Sequence, residues 1–160
     1  MNIFRRRLIC LSALGLLWAT AGCSSTDDRA TVPVPSPDAD TAQLCRNLHE
    51  QLPDRIDGLD REDPEPRSEL TAGWGGSAII LRCGVPRPAA LADPKAYGAE
   101  VNGVGWLTEE QQDGSYRFTT TLREAYVEVT FDQEHAKQGA GSLTDFAGPV
   151  RKTVPEGIAN

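Results

Sequence analysis

Apolar positions recur at helical spacing in residues 41–56. Leu44, Cys45, Leu48 and Leu52 fall on one face and predict an amphipathic helix with Cys45 looking inward. Asp40 or Thr41 can cap its start, and Pro53 ends it. Residues 57–69 are dense in charge and proline, and a solvated loop is preferred there over an acidic ligand-binding one. The aliphatic, β-branched run at 77–83 predicts a central strand. Gly73, Gly75 and Gly76 precede it, Gly84 and Pro86 follow it, and Cys83 at its end can meet Cys45 on the packed helix. Pro86, Pro88 and Pro94 make the next segment loop-like, with one turn near Ala89–Ala92.

Residues 100–109 read as one continuous strand; the alternative is a tight turn at Asn102-Gly103 between two shorter strands. The first reading is preferred because residues 97–101 are weak strand formers. Asp113-Gly114 marks a hairpin turn, followed by strands at 116–122 and 124–131. Val127, Val129 and Phe131 alternate with Tyr126, Glu128 and Thr130, the pattern of a half-buried antiparallel strand. At 142–154, Leu143, Phe146, Val150 and Val154 return to helical spacing. Ser142 is the N-cap candidate, and Pro149 is placed to break or kink that helix. The order predicts an α+β fold: a small antiparallel sheet of about four strands, with an N-terminal and a C-terminal helix packed on one face.

The N-terminus follows another pattern. Arg5, Arg6 and Arg7 precede an apolar run at 8–19. Such a run forms a helix of roughly 18 Å, too short for roughly 30 Å of hydrocarbon. Its length and flanks fit a signal peptide, and Ala21-Gly22-Cys23 fits the lipobox of lipoprotein signals. An ordinary secretory signal cut elsewhere is the alternative. The expected organisation is a signal peptide at 1–22, a lipidated disordered tether at 23–40 and one domain at 41–157. The tether carries Pro33, Pro35 and Pro37 among small polar residues, with too little apolar surface to fold alone.

Charge narrows the partners. The whole chain carries a formal −7; removal of residues 1–22 takes three arginines and no acid, leaving −10. So acidic a chain argues against nucleic acid and against electrostatic attraction to anionic lipid. Anchoring then falls to acyl groups on Cys23, at the outer face of the cytoplasmic membrane. Of the four cysteines, Cys10 leaves with the signal and Cys23 takes lipid. Cys45 and Cys83 remain and are expected to form a disulfide, as leftover pairs in exported proteins do. Two buried free thiols are the alternative.

Catalytic chemistry is not visible. His49 and His135 lack metal-ligand spacing, and the chain has no nucleophile elbow, phosphate loop or dinucleotide fingerprint. No metal or cofactor is implied. The more suggestive set is Trp74, Arg82, Arg87, Trp106, Arg123 and Tyr126, all in or beside predicted strands. Such residues can line a groove for an acidic or sugar-containing ligand. The competing reading puts the tryptophans in the core and pairs the arginines with carboxylates.

Several of these stretches also carry a resemblance. Trp74-Gly75, the run from Leu81 to Pro88 (Leu-Arg-Cys-Gly-Val-Pro-Arg-Pro), Val101-Asn102-Gly103-Val104 with Trp106, and Arg123 with Tyr126-Val127-Glu128-Val129 resemble the DUF3515 family. These are uncharacterised actinobacterial proteins, membrane-anchored or secreted. The chain departs from the family pattern at Gly76-Ser77 and at Phe131-Asp132, away from both cysteines. The resemblance implies no activity. The expectation is a non-enzymatic envelope lipoprotein that binds an envelope protein or cell-wall component. The alternatives are an enzyme or ligand-binding protein acting on a cell-wall precursor, or an assembly factor for a neighbouring membrane enzyme.

Overall fold

The computed structural model describes residues 29–159, without the side chains of 138–140. The expected signal peptide at 1–22 and the expected lipidation site Cys23 lie outside the described residues. Helix α1 (Ala39–His49) is followed by a two-stranded hairpin, β1 (Arg55–Ile56) and β2 (Leu59–Asp60). Strands β3 (Thr71–Trp74), β4 (Ile79–Cys83), β5 (Gly98–Val101), β6 (Val104–Glu110), β7 (Tyr116–Thr121) and β8 (Val127–Phe131) form the main sheet. A 3-10 stretch (His135–Leu143) leads into α2 (Thr144–Thr153). The sheet order is β3-β4-β8-β7-β6-β5, antiparallel at every pairing.

The α+β class is as expected, but the sheet has six strands where about four were predicted. β3 was hidden because Thr-Ala-Gly-Trp is a poor strand sequence, stabilised here by pairing with β4. β5 was hidden because Asn102-Gly103 is a turn and not part of a continuous strand. Both residues adopt left-handed backbone, φ 50° and 79°, as a two-residue hairpin of this hand requires. Arginines hold both turn carbonyls: Arg151 donates to Asn102 O at 3.1 Å and Arg123 to Gly103 O at 2.7 Å. Asp57-Gly58 makes the same kind of turn between β1 and β2, inside the stretch expected to be a loop.

Alternation in β4 and β8 buries Ile79, Leu81, Cys83, Val127, Val129 and Phe131 on the face that meets the helices. Trp74 and Phe131 both set their rings edge-on to Phe146 of α2. Cys45 of α1 and Cys83 of β4 form the expected disulfide, with Cα atoms 5.5 Å apart. In α2, Pro149 lies inside the helix without ending it. An internal proline costs about 3 kcal/mol. Full burial of Leu143, Phe146, Val150 and Val154 contributes about 1.5–3 kcal/mol each, so packing wins.

The caps differ from expectation. Asp38, not Asp40 or Thr41, caps α1, accepting from the backbone N–H groups of Asp40 and Thr41. Ser142 does not cap α2; its hydroxyl donates to Asp57 Oδ2 at 2.7 Å, and the 3-10 stretch feeds straight into the helix.

The second sheet face is covered by chain rather than helix. The 84–97 connection between β4 and β5 passes over it. Residues 29–38, expected to be a disordered tether, pack against the domain. Val32 N donates to Glu65 O, Glu65 N donates to Ala30 O, and Arg82 Nε donates to Pro33 O. Pro37 lies so close to Gly84 that a Cβ there would sit 2.6 Å from Pro37 Cγ. The prolines that were expected to keep this stretch unfolded instead take part in the packing: Pro33 offers its carbonyl to Arg82, Pro35 is buried, and the Pro37 ring lies against Gly84.

Candidate ligand-binding cleft

The six residues expected to form a ligand surface divide three ways. Trp74 and Trp106 are core side chains, 0% and 1% exposed, which removes them from any surface. Trp74 Nε1 donates to Pro53 O at 3.0 Å and tethers the end of the α1 segment to the sheet. Arg82 lies on the second sheet face in a cross-strand ladder of alternating charge. It pairs with Glu128 at 3.1 Å; Glu128 lies 3.9 Å from Arg117, which pairs with Glu109 at 3.2 Å. Two cations and two anions leave that ladder neutral.

Arg87, Arg123 and Tyr126 do come together. They line a cleft of about 250 Å³ with Leu91, Leu122 and Ile158. Register explains the meeting. Tyr126 precedes β8 with the parity of the second face, and the 84–97 connection carries Arg87 over it. Arg87 donates to the Tyr126 hydroxyl at 3.0 Å and to Leu91 O at 3.5 Å. Among the described residues, no carboxylate pairs with Arg87, in a chain whose net charge is −7. Arg123 forms the buried wall, donating to Val154 O at 3.2 Å and to Gly103 O. Glu156 lies 3.7 Å from it and is solvent-exposed, so that pair contributes little.

Leu122 was not singled out in the sequence. It follows β7 with a left-handed φ of 53° and a side chain 73% exposed. A branched side chain in that region costs roughly 1–2 kcal/mol, and here no burial offsets it. The surroundings enforce the conformation. Gly157 N donates to Leu122 O at 3.0 Å and Glu124 N to Pro155 O at 3.0 Å, so the C-terminal stretch pins both flanks. Ile158, 74% exposed, stands beside it. The only sequence signal was that Leu122 and Arg123 interrupt the strand alternation. Nothing in the primary pattern connected them to Ile158.

The histidines lie elsewhere. His49 of α1 is half-buried, with its ring nitrogens 2.7 and 3.0 Å from Arg61 Nη2 and Nε2 3.9 Å from Asp63. Burial, and then the Arg61 charge, lower its pKa from the ordinary histidine value. The folded state therefore binds this proton more weakly than the unfolded chain. The stability involved is fully present above about pH 6.5 and is lost as pH falls below that value. Melting temperature between pH 7.5 and pH 5 is expected to fall further for the native chain than for His49→Gln. Equal falls would overturn this assignment. Among the described residues, no group of three histidine, cysteine or acidic side chains is placed to hold a metal, and no helix is long and apolar enough to cross a membrane.

The fold and cleft define a disulfide-stapled α+β domain with a small surface cleft of mixed cationic and apolar lining. The DUF3515 family, described as "Protein of unknown function", matches residues 8–159, nearly the whole chain, and the chain belongs to it. No curated protein and no solved structure matches the chain.

Proposed function

We propose that this protein is a non-enzymatic lipoprotein of the cell envelope, anchored through acyl groups on Cys23, whose domain binds an envelope partner through the Arg87–Leu122 cleft. The observation that carries the cleft's role is the exposed Arg87 guanidinium, which meets no carboxylate among the described residues, beside the exposed apolar side chains of Leu122 and Ile158. A partner presenting a carboxylate or phosphate next to an apolar group would meet both features. The signal-like N-terminus supports the address. The enzyme alternative would need an arginine and an available carboxylate in one concavity. Arg82 and Glu128 share such a cleft, but both are engaged within the ladder.

Two measurements test this. Metabolic labelling with a clickable palmitate analogue is expected to mark the native chain and not Cys23→Ser; label on neither removes the anchor. Pulldown from solubilised envelopes is expected to enrich a partner or ligand that Arg87→Ala and Leu122→Ser each reduce at least fivefold. Equal recovery with all three proteins counts against the cleft, and no enrichment at all counts against a binding module.

A further inference from the structure

A second, larger cleft opens on the helix side of the sheet, where β5, β6 and β7 face residues 133–137 instead of the helices. Its floor follows from register: Thr108 lies opposite Phe118, and Glu110 opposite Tyr116. The Tyr116 and Phe118 rings stack with centroids 6.3 Å apart and planes within 23° of parallel. Tyr97, 70% exposed, lines the cleft with Ala99 from the β5 side. Ala136 and Lys137 line it from the 3-10 stretch. The space is about 500 Å³, within the roughly 300–1,000 Å³ of small-molecule sites.

Gln133 lines the rim, and three further polar features stand in this otherwise apolar setting. Glu110 lies on the strand side, opposite Tyr116 in the β6–β7 register, and its carboxylate beside the phenol pushes the Tyr116 pKa above the ordinary tyrosine value. Lys137 brings the opposite charge on the 3-10 side. The Thr108 hydroxyl oxygen is buried with no hydrogen-bond partner among the described residues, and such an atom is costly unless something bonds to it.

We propose that this cleft binds a small zwitterion with an apolar side chain, of the size and chemistry of a free α-amino acid. The ligand's ammonium sits against Glu110 and the face of Tyr116, where carboxylate and ring quadrupole both attract it. Its carboxylate meets Lys137, and its side chain lies over Phe118 and Ala99. The site is separate from the Arg87 cleft, and the two readings stand or fall independently.

Amide chemical-shift titration of the isotope-labelled chain provides the test, with L-phenylalanine as probe. Phenethylamine lacks the carboxylate and 3-phenylpropionate lacks the ammonium. Phenylalanine is expected to give saturable shifts at Thr108, Glu110 and Tyr116, and each analogue to bind about tenfold more weakly, as loss of one charge-assisted hydrogen bond implies. Glu110→Gln is expected to weaken phenylalanine and phenethylamine but not 3-phenylpropionate. Lys137→Ala is expected to weaken phenylalanine and 3-phenylpropionate but not phenethylamine. Both positions are exposed, and preserved spectral dispersion certifies the fold. Arg87→Ala is expected to leave phenylalanine binding unchanged. No saturable shift up to about 10 mM, a dissociation constant that corresponds to negligible recognition, overturns the proposal. So do equal affinities for the three probes, or shifts centred on the Arg87 cleft.

Discussion

Replacing Cys45 and Cys83 together with alanine is expected to lower the unfolding free energy by about 4 kcal/mol. The bond joins α1 to β4, one strand in from the sheet edge, across a sequence separation of 38. In the chain-entropy treatment a closed loop of that size removes roughly 13 cal/mol/K from the unfolded ensemble, which gives the figure at 25 °C. Both cysteines are buried at 1% exposure, so alanine avoids stranding a hydroxyl, but it leaves a small void that adds to the loss. A domain of this size has roughly 5–15 kcal/mol in total. Urea unfolding of the native chain, the reduced chain and the double variant measures the effect. Reduced chain and double variant are expected to agree within about 1 kcal/mol and to show steeper denaturant dependence, because an uncrosslinked unfolded chain exposes more surface. A loss below about 1 kcal/mol would mean that α1 docks without help from the bond.

That bond also marks where the sequence was most informative. Cys45 sits on a face with Leu44, Leu48 and Leu52, and Cys83 ends an aliphatic run, so period and position both pointed into one core. The alternation at 127–131 and the helical spacing of Leu143, Phe146, Val150 and Val154 were legible for the same reason: one-sided burial writes a period into the chain. Elements that depend on neighbours wrote none. β3 contains Ala72 and Gly73, and only its pairing with β4 makes it a strand. β5 was masked because Asn102-Gly103 fits either a strand interior or a turn when the flanking residues are Glu100, Val101 and Val104. Residues 29–38 read as a tether because composition reports what a segment can bury alone, not which surface it can lie on.

The candidate site was half legible, and the division has a physical cause. Arginine and aromatic residues beside strands have two destinations, a groove or the core, and residue type does not choose between them. Strand parity does. Trp74 and Trp106 have the parity of the helix face and are consumed by packing; Arg82 and Tyr126 have that of the other face, where Arg82 stays partly exposed and Tyr126, itself buried, keeps its hydroxyl within reach of Arg87. Leu122 and Ile158 were beyond reach, because their significance is that they are apolar, exposed and adjacent, which is a property of the surface.

Arg123 joins the cleft to the fold, and its removal carries the second large expected effect. Its side chain is 4% exposed and donates to Val154 O at the end of α2 and to Gly103 O in the β5–β6 turn. One guanidinium thus fixes the helix end, the hairpin tip and the base of the Leu91–Leu122–Ile158 cleft. Arg123→Met keeps most of the volume but leaves both carbonyls without that donor, at about 1–3 kcal/mol for each one that stays dry. The expected loss is about 2–5 kcal/mol, read as a fall in urea midpoint at unchanged slope. Arg123→Lys separates charge from geometry. A lysine keeps the cation but presents a compact ammonium instead of a planar fork, so it can serve one carbonyl well and not both. Its loss is expected to fall between native and Met. Hydrogen exchange adds a local readout: amides at 103–105 and 154–157 should lose protection in both variants before those of β4 and β8. If Lys restores full stability, charge near the helix end suffices and the two-carbonyl bridge is incidental. If Met costs less than about 1 kcal/mol, water replaces the guanidinium freely, and the cleft wall is softer than its buried arginine implies.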